Sequence, residues 1–461
     1  MTVSNRIRAL FREPVVDDDQ EYERLQTNPT EDDDSLDTGK PEETPFSSLE
    51  YTVFVLLGMV MLWAWNMYLA AAPYFAKRFA SDGWILSHFQ SSILTVGTVM
   101  NLLSNLVLAK LQAKASYPKR IGLALLINII AFALLSVSTT FFRNISAGGY
   151  LGFLLTMVFC TSLATGLCQN GAFALAAGFG HPSYMQGIMT GQGIAGVLPA
   201  MAQIISVLAV PPPRPHLESD APAPPPPHES STSALIYFLT AAVVCIITFL
   251  AFIPLVRRHN RLVEANMMES VTSVEEAERA RRKVVGLLTL FKKLHWLALA
   301  IFICFAVTMF YPVFTAQIIS NNASPGKGSR ILQPSSFIPL AFLLWNLGDL
   351  LGRMLSILPF SLTRRPLLLF AFSVARLIFL PLYLLCNIGG RGAAIPSDAF
   401  YLIVVQLGFG LTNGWLGSSC MMVAIDWVDD GEKEAAGAFM GVALVAGLSA
   451  GSLLSFTASS I

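Results

Sequence analysis

The sequence predicts an all-α polytopic membrane protein with eleven transmembrane helices. Three observations carry that prediction. Of 461 residues, 54% are hydrophobic and only 13% are charged, with a mean hydropathy of +0.58. Soluble domains average about 25% charged residues, so a soluble chain of this length would lack the polar side chains to cover its surface. Apolar runs recur near the ~20 residues that cross ~30 Å of hydrocarbon. The loops between them alternate in Lys and Arg content, as successive crossings require.

Residues 1–48 contain the acidic runs Asp17–Asp19 and Glu31–Asp34 and few aromatics. Such a segment buries too little apolar surface to offset its ordering entropy and reads as a disordered cytoplasmic tail. No early apolar core marks a cleavable signal peptide. The first span then serves as its own insertion signal. The runs follow at about 51–75, 88–109, 121–142, 150–178, 186–210 and 234–256, then 294–318, 335–359, 367–388, 399–424 and 435–457. Helices 1–6 thus occupy 49–256, with a proline-rich outer loop at 211–232. A charged cytoplasmic loop at 257–293 contains VTSVEEAERARRKV, which reads as a short surface helix. Helices 7–11 fill 294–461.

With the N-terminus inside, the inside loops hold sixteen Lys and Arg residues and the outside loops seven. That bias places the N-terminus in the cytoplasm, and an odd number of spans places the C-terminus outside. The sequons at Asn144 and Asn322 fall in outside loops.

The six cysteines all lie inside apolar runs, without the paired spacing of a zinc site or a disulfide framework. No phosphate-binding glycine loop, HExxH or nucleophile elbow occurs. A net charge of +0 gives no basic surface for nucleic acid. These absences predict a chain that is not an enzyme and that uses no metal or cofactor.

Ionised side chains at mid-bilayer cost at least ~2.5–3.5 kcal/mol, and only Asp349, Arg353 and Arg376 lie well inside the spans. Asp349 and Arg353 are one helical turn apart, and Asn346 shares their face. Two readings stay open: an ion pair that locks helix packing, or a ligand site in which the acid accepts from hydroxyls and the guanidinium donates. Arg376 reads as pairing with an acid across the bundle or capping a gate. Trp65 and Asn66 sit deep in span one. Trp65 is a packing or interface residue, or a ring that stacks on a flat ligand beside a hydrogen-bonding amide. Gln169 and Asn170 lie in the middle of span four. The glycines Gly187, Gly191, Gly193 and Gly196 of span five, and Gly437, Gly441, Gly447 and Gly451 of span eleven, read as close-packing faces. Gln192 reads as an interhelical hydrogen bond, and Asn413–Gly414 as a local break in span ten.

In order along the chain, LWAWNMYLAAAPYF, QNGAFALAAGF with PSYMQGIMTGQGIAG, NLGDLLGRMLS, ARLIFLPLYLLCN, TNGWLGSSCMM and EAAGAFMGVALVAGLSAG resemble the equilibrative nucleoside transporters over nearly all of 50–457. The acidic tail and proline-rich loop are similar to those of fungal members. The resemblance implies a 6+5 major-facilitator-like arrangement with an alternating-access site between the halves. It implies substrate contacts at Trp65, with Leu62 and Leu69 a turn to either side, and a nucleobase contact at Gln169. It implies ribose contacts at Asp349 and Arg353, with Asn346 beside them, and apolar wall positions at Val99, Leu102, Tyr311 and Leu448. The chain departs from the family's usual pattern at Ala64, where proline is common, at Leu350, often aromatic, and at Tyr311, often phenylalanine.

The expected activity is movement of purine and pyrimidine nucleosides such as adenosine and uridine, facilitative or proton-coupled, in a lipid bilayer. The expected membrane is the plasma membrane or a vacuolar or endolysosomal one. Free nucleobases and organic cations are the alternative ligands, and a non-transporting receptor or scaffold is the alternative class. No nucleic-acid partner is expected, and protein partners stay open.

Overall fold

A computed structural model describes residues 46–112, 115–141, 145–179, 181–209, 231–265, 285–322, 329–358 and 365–458. The expectations for the acidic tail before residue 46, the 211–230 proline-rich stretch, the 271–284 surface helix and Asn144 fall outside these residues. Eleven helices among them are long and apolar enough to cross a membrane. Their main helical segments are α1 (Ser48–Ala70), α2 (Gly83–Lys110), α3 (Tyr117–Phe141), α4 (Ala147–Gly178), α5 (Pro182–Ala209) and α6 (Ser231–Ala265), then α7 (Leu287–Thr308), α8 (Pro334–Leu355), α9 (Pro366–Ala375), α10 (Gly408–Val423) and α11 (Lys433–Ala458). The ninth and tenth spans reach crossing length only with the helical segments that adjoin α9 and α10, over Pro366–Leu384 and Phe400–Trp427. The 23 residues of α1 rise about 35 Å at 1.5 Å each, enough for the hydrocarbon layer. The chain is a multi-pass membrane protein.

Helix ends follow local chemistry. Asp82 caps α2, its Oδ1 accepting from the backbone N–H of Trp84 and Ile85 at 3.0 Å each. Ser146 caps α4 through the Gly149 N–H at 3.3 Å. Span nine is not one regular helix. After α9 the chain tightens into a 3₁₀ turn at Arg376–Ile378 and resumes at Phe379–Leu384. Pro381 explains this, because it has no N–H to offer the carbonyl one turn back. The Asn413–Gly414 break does not occur, since both residues lie inside the uninterrupted α10. The irregularity sits upstream, where Phe400–Leu407 forms a π-helix before α10.

Within residues 46–265, α1 packs on α5 and α6, α3 on α4 and α6, and α2 on α4. Within 285–458, α8 packs on α10, and α7 on α11, α9 and α10. The two halves meet through α5–α8, α4–α11, α2–α11 and α5–α10. Their cores differ between the two ends of the bundle. At the end where α1 begins, one cluster joins both halves, including Phe54, Phe173 and Ile188 with Ile301, Cys420 and Met440. At the opposite end the core divides. One cluster, including Phe75, Phe132 and Phe238, belongs to the first half, and another, including Phe314, Phe337 and Tyr401, to the second. The halves are therefore fused at one end and separately cored at the other. Arg330 crosses at the divided end and donates to the carbonyl oxygens of Leu208 and Val207 in the last turn of α5, both at 2.9 Å.

At the fused end each half carries an ion pair between a buried carboxylate and a partly exposed cation. Glu50, 4% exposed, pairs with Arg258 at 3.3 Å and accepts from the Tyr184 hydroxyl at 2.6 Å. In the second half Lys293 pairs with buried Glu432 at 2.5 Å.

Candidate functional site

The polar face of α8 centres on a buried, hydrogen-bonded pair. Asp349 and Arg353 are 5% and 3% exposed, so both charges are removed from solvent and must be matched by protein. Arg353 Nε donates to Asp349 Oδ2 at 2.7 Å, the expected pairing one turn apart. Asp349 Oδ1 accepts from Asn413 Nδ2 of α10 at 2.6 Å. The Arg353 fork then leaves its own half. Its Nη1 donates to the Met189 carbonyl at 2.9 Å and to Gln192 Oε1 at 3.2 Å, both on α5. Gln192 thus makes the expected interhelical bond, and its partner is the site's guanidinium. Asn346 donates to the Phe342 carbonyl at 2.8 Å. Its Oδ1 lies against Gly196 of α5, where a Cβ would overlap it. Tyr311 lies flat on Trp345, with ring centroids 3.9 Å apart and planes within 5°. Its hydroxyl faces Asn346.

Arg376 does not pair with an acid across the bundle. Buried at 2% exposure, it donates to the Cys304 carbonyl at 2.7 Å, to Thr412 Oγ1 at 3.2 Å and to Thr308 Oγ1 at 3.3 Å. Its guanidinium lies 4.7 Å over the Phe409 ring. No carboxylate among the described residues bonds to it, and this part of the protein holds two guanidinium groups against the one carboxylate of Asp349.

In the first half, Trp65 is half-buried against α2. Its ring edge is 3.2 Å from where a Cβ on Gly97 would stand. Asn66 donates to the Ala195 carbonyl of α5 at 2.7 Å. Gln169 is buried, and its Oε1 accepts from Asn105 Nδ2 of α2 at 3.1 Å. Asn170 faces the other way and accepts from Arg120. Leu62, Leu102, Tyr311 and Leu448 are half-buried, and Leu102 and Leu448 pack on the shared core. Leu69 and Val99 are 56% and 59% exposed. No hydrogen bond or ion pair among the described residues links Trp65 or Gln169 to Asp349 or Arg353. The two sets sit on opposite halves, which Arg353 joins through Met189, Gln192 and Gln186 of α5.

Spacing within one span does not disclose Thr308 and Asn413. Asn413 is 64 residues from Asp349 and Thr308 is 105 from Asn413. Their only sequence signal is that a polar side chain inside a span needs a partner on another helix.

The fold compares with solved carriers. It superimposes on a proton:xylose symporter, XylE, with a TM-score of 0.55 at 12% identity, covering 88% of this chain and 86% of that one. With FucP, a major facilitator superfamily transporter in the outward conformation, the TM-score is 0.52 at 14% identity, over 89% and 96% of the two chains. At such identities the likeness concerns the fold: an all-helical bundle of the major-facilitator type. Sequence relatives are closer. The chain is 29% identical to the nucleoside transporter FUN26 of Saccharomyces cerevisiae, covering 95% of this chain and 88% of the relative. It is 27% identical to the human equilibrative nucleoside transporter 2, over 87% and 95%. The family described as nucleoside transporter matches residues 155–459, more than half the chain and the whole polar face of α8 with its partners on α5, α7, α9 and α10. This chain belongs to the nucleoside transporter family.

Proposed function

We propose that this protein carries nucleosides across a membrane by alternating access of its two helical halves. The observation that carries the reading is the buried Asp349–Arg353 pair on α8, where the second half meets α5 of the first. A carboxylate beside a guanidinium presents acceptors and donors to a pair of vicinal hydroxyls. Because the guanidinium also holds α5, engaging a sugar there competes with the contact that fuses the halves. A ligand that binds one arrangement better than the other shifts the equilibrium between them. The divided core at the opposite end supports the same reading, since each half keeps its own packing when the contact between them opens.

Trp65 serves in this proposal as the flat surface for the base and Gln169 as its polar contact. Leu62, Leu69, Val99, Leu102, Tyr311 and Leu448 form the wall, and Asn346 sits beside the ribose pair. Stacking of a base on an aromatic ring is worth about 1–3 kcal/mol. Trp65→Ala is expected to raise the KM for uridine and adenosine about tenfold, read as initial rates of uptake. An unchanged KM would remove the stacking role.

Organic cations fit poorly, because Arg353 and Arg376 leave the buried cluster with more positive than negative charge. Reconstitution of the full chain in proteoliposomes, with labelled uridine, adenosine, adenine and an organic cation, tests the assignment. Uptake of the two nucleosides is expected. Uptake of adenine or the cation alone, or of none, would replace the proposal.

A further inference from the structure

We infer that Arg376 is a positioning residue for Asp349, acting through Thr308 and Asn413, so that span nine sets the carrier's discrimination between ribose and deoxyribose. The inference rests on the reading of Asp349 as the ribose contact.

The atoms form a directed chain. Arg376 Nη2 donates to Thr308 Oγ1 at 3.3 Å, so that oxygen acts as an acceptor there and has one proton left to give. Two acceptors lie within reach of it: the Cys304 carbonyl at 2.8 Å and Asn413 Oδ1 at 2.6 Å. Arg376 Nη1 already donates to that carbonyl at 2.7 Å, which favours the Asn413 oxygen for the Thr308 proton. With Oδ1 of Asn413 held by a donor, Nδ2 must face the other way, and it meets Asp349 Oδ1 at 2.6 Å. An amide flipped end for end would set Oδ1 against the carboxylate and leave Thr308 facing an N–H₂ group. One guanidinium thereby fixes which end of the Asn413 amide reads Asp349, and with it the carboxylate's rotamer.

A packing role alone does not account for an arginine here. The hydroxyls of Thr308 and Thr412 and the Asn413 amide could join α7 to α10 without a buried cation, whose desolvation costs several kcal/mol. The cation sits where its bonds to Cys304 and Thr308 give the network a direction. Loss of Arg376 would let Thr308 turn to the Cys304 carbonyl. Asn413 Oδ1 would lose its strongest donor, and Asp349 would lose a fixed partner.

The test uses full-length protein in proteoliposomes and reads KM for uridine and for 2′,3′-dideoxyuridine, which lacks both hydroxyls. Thr308→Val keeps the volume but not the proton. It is expected to cut the preference for uridine about tenfold, while the KM for the dideoxynucleoside moves less than about twofold. Thr308→Ser, which retains the hydroxyl, is expected to restore the parent ratio. Arg376→Gln should lower the ratio as Thr308→Val does, and the double variant should be no worse than the poorer single one, because both interrupt one chain. If Arg376→Gln does not fold, the Thr308 pair carries the test. A ratio within about twofold of the parent in Thr308→Val, with only the amount of folded carrier or the maximal rate reduced, would overturn the inference. Asp349→Asn separates the two levels. Loss of the ratio there, together with an intact ratio in Thr308→Val, retains Asp349 as the ribose contact and rejects the relay. An intact ratio in Asp349→Asn rejects both.

Discussion

Asp349→Ala is expected to reduce nucleoside uptake by at least about a hundredfold while the protein still reaches the membrane. The substitution removes the carboxylate that neutralises Arg353 and accepts from Asn413. Arg353, 3% exposed, would remain as a buried cation held by a carbonyl, an amide oxygen and a thioether sulfur of α5, with no counter-charge bonded to it. Removing one member of a buried ion pair costs about 3–5 kcal/mol. About 2.7 kcal/mol lost from substrate binding alone is a factor of roughly a hundred. A buried polar site that has lost its acceptor also leaves the substrate's hydroxyls unpaired, which adds to the loss. Initial rates of uridine and adenosine uptake, normalised to surface-labelled protein, measure it. Uptake within twofold of the parent would remove Asp349 from the site. Asp349→Asn, which keeps the shape and one acceptor oxygen, is expected to lie between the two.

The spans were legible because hydrocarbon imposes one rule on all of them: about 20 apolar residues with every backbone group bonded inside a helix. The Asp349–Arg353 pair was legible for a related reason. Its partners are four residues apart, so helical geometry alone brings them together. Partners on different helices follow another logic. Asn413 meets Asp349, and Gln192 meets Arg353, because α8 crosses α10 and α5 at particular heights, and crossing height is not written in any local pattern. The Asn413–Gly414 break was expected because a polar residue beside glycine weakens an isolated helix. In the bundle Asn413 is satisfied on both ends of its amide by Asp349 and Thr308, and Gly414 is needed for contact. Arg376 was expected to find an acid across the bundle or to cap a gate. Its charge is instead dispersed over a carbonyl, two hydroxyls and an aromatic face, none of which stands out in the sequence.

Close packing at that crossing yields the other large expected effect. Gly348 and Gly352 on α8, and Gly410 and Gly414 on α10, form two four-residue-spaced pairs that face each other. A Cβ on Gly414 would overlap the Asp349 carbonyl oxygen and lie 2.8 Å from the Arg353 nitrogen. One on Gly410 would overlap the Trp345 carbonyl oxygen and lie 2.9 Å from the Asp349 nitrogen. One on Gly352 would overlap the Leu411 carbonyl oxygen and lie 2.7 Å from the Trp415 nitrogen. The atoms met are backbone, so no rotamer change relieves the overlap and the helices themselves must part. Overpacking of this kind costs about 1–3 kcal/mol per site and more against rigid neighbours. Gly414→Ala is expected to lower the melting temperature of the detergent-purified protein by several degrees, and Gly414→Leu to abolish recovery of folded carrier. Gly122→Ala on α3, whose Cβ would meet nothing within 4 Å, is expected to be neutral or slightly stabilising, since alanine is the better helix former. Equal melting temperatures for Gly414→Ala and the parent would show that the crossing can widen at no cost. Widening also has a functional reading. The Asn413–Asp349 bond is 2.6 Å long and spans this same interface. Whatever Gly414→Ala carrier survives should therefore show a weakened preference for ribose, even though the substituted residue bears no polar atom on its side chain.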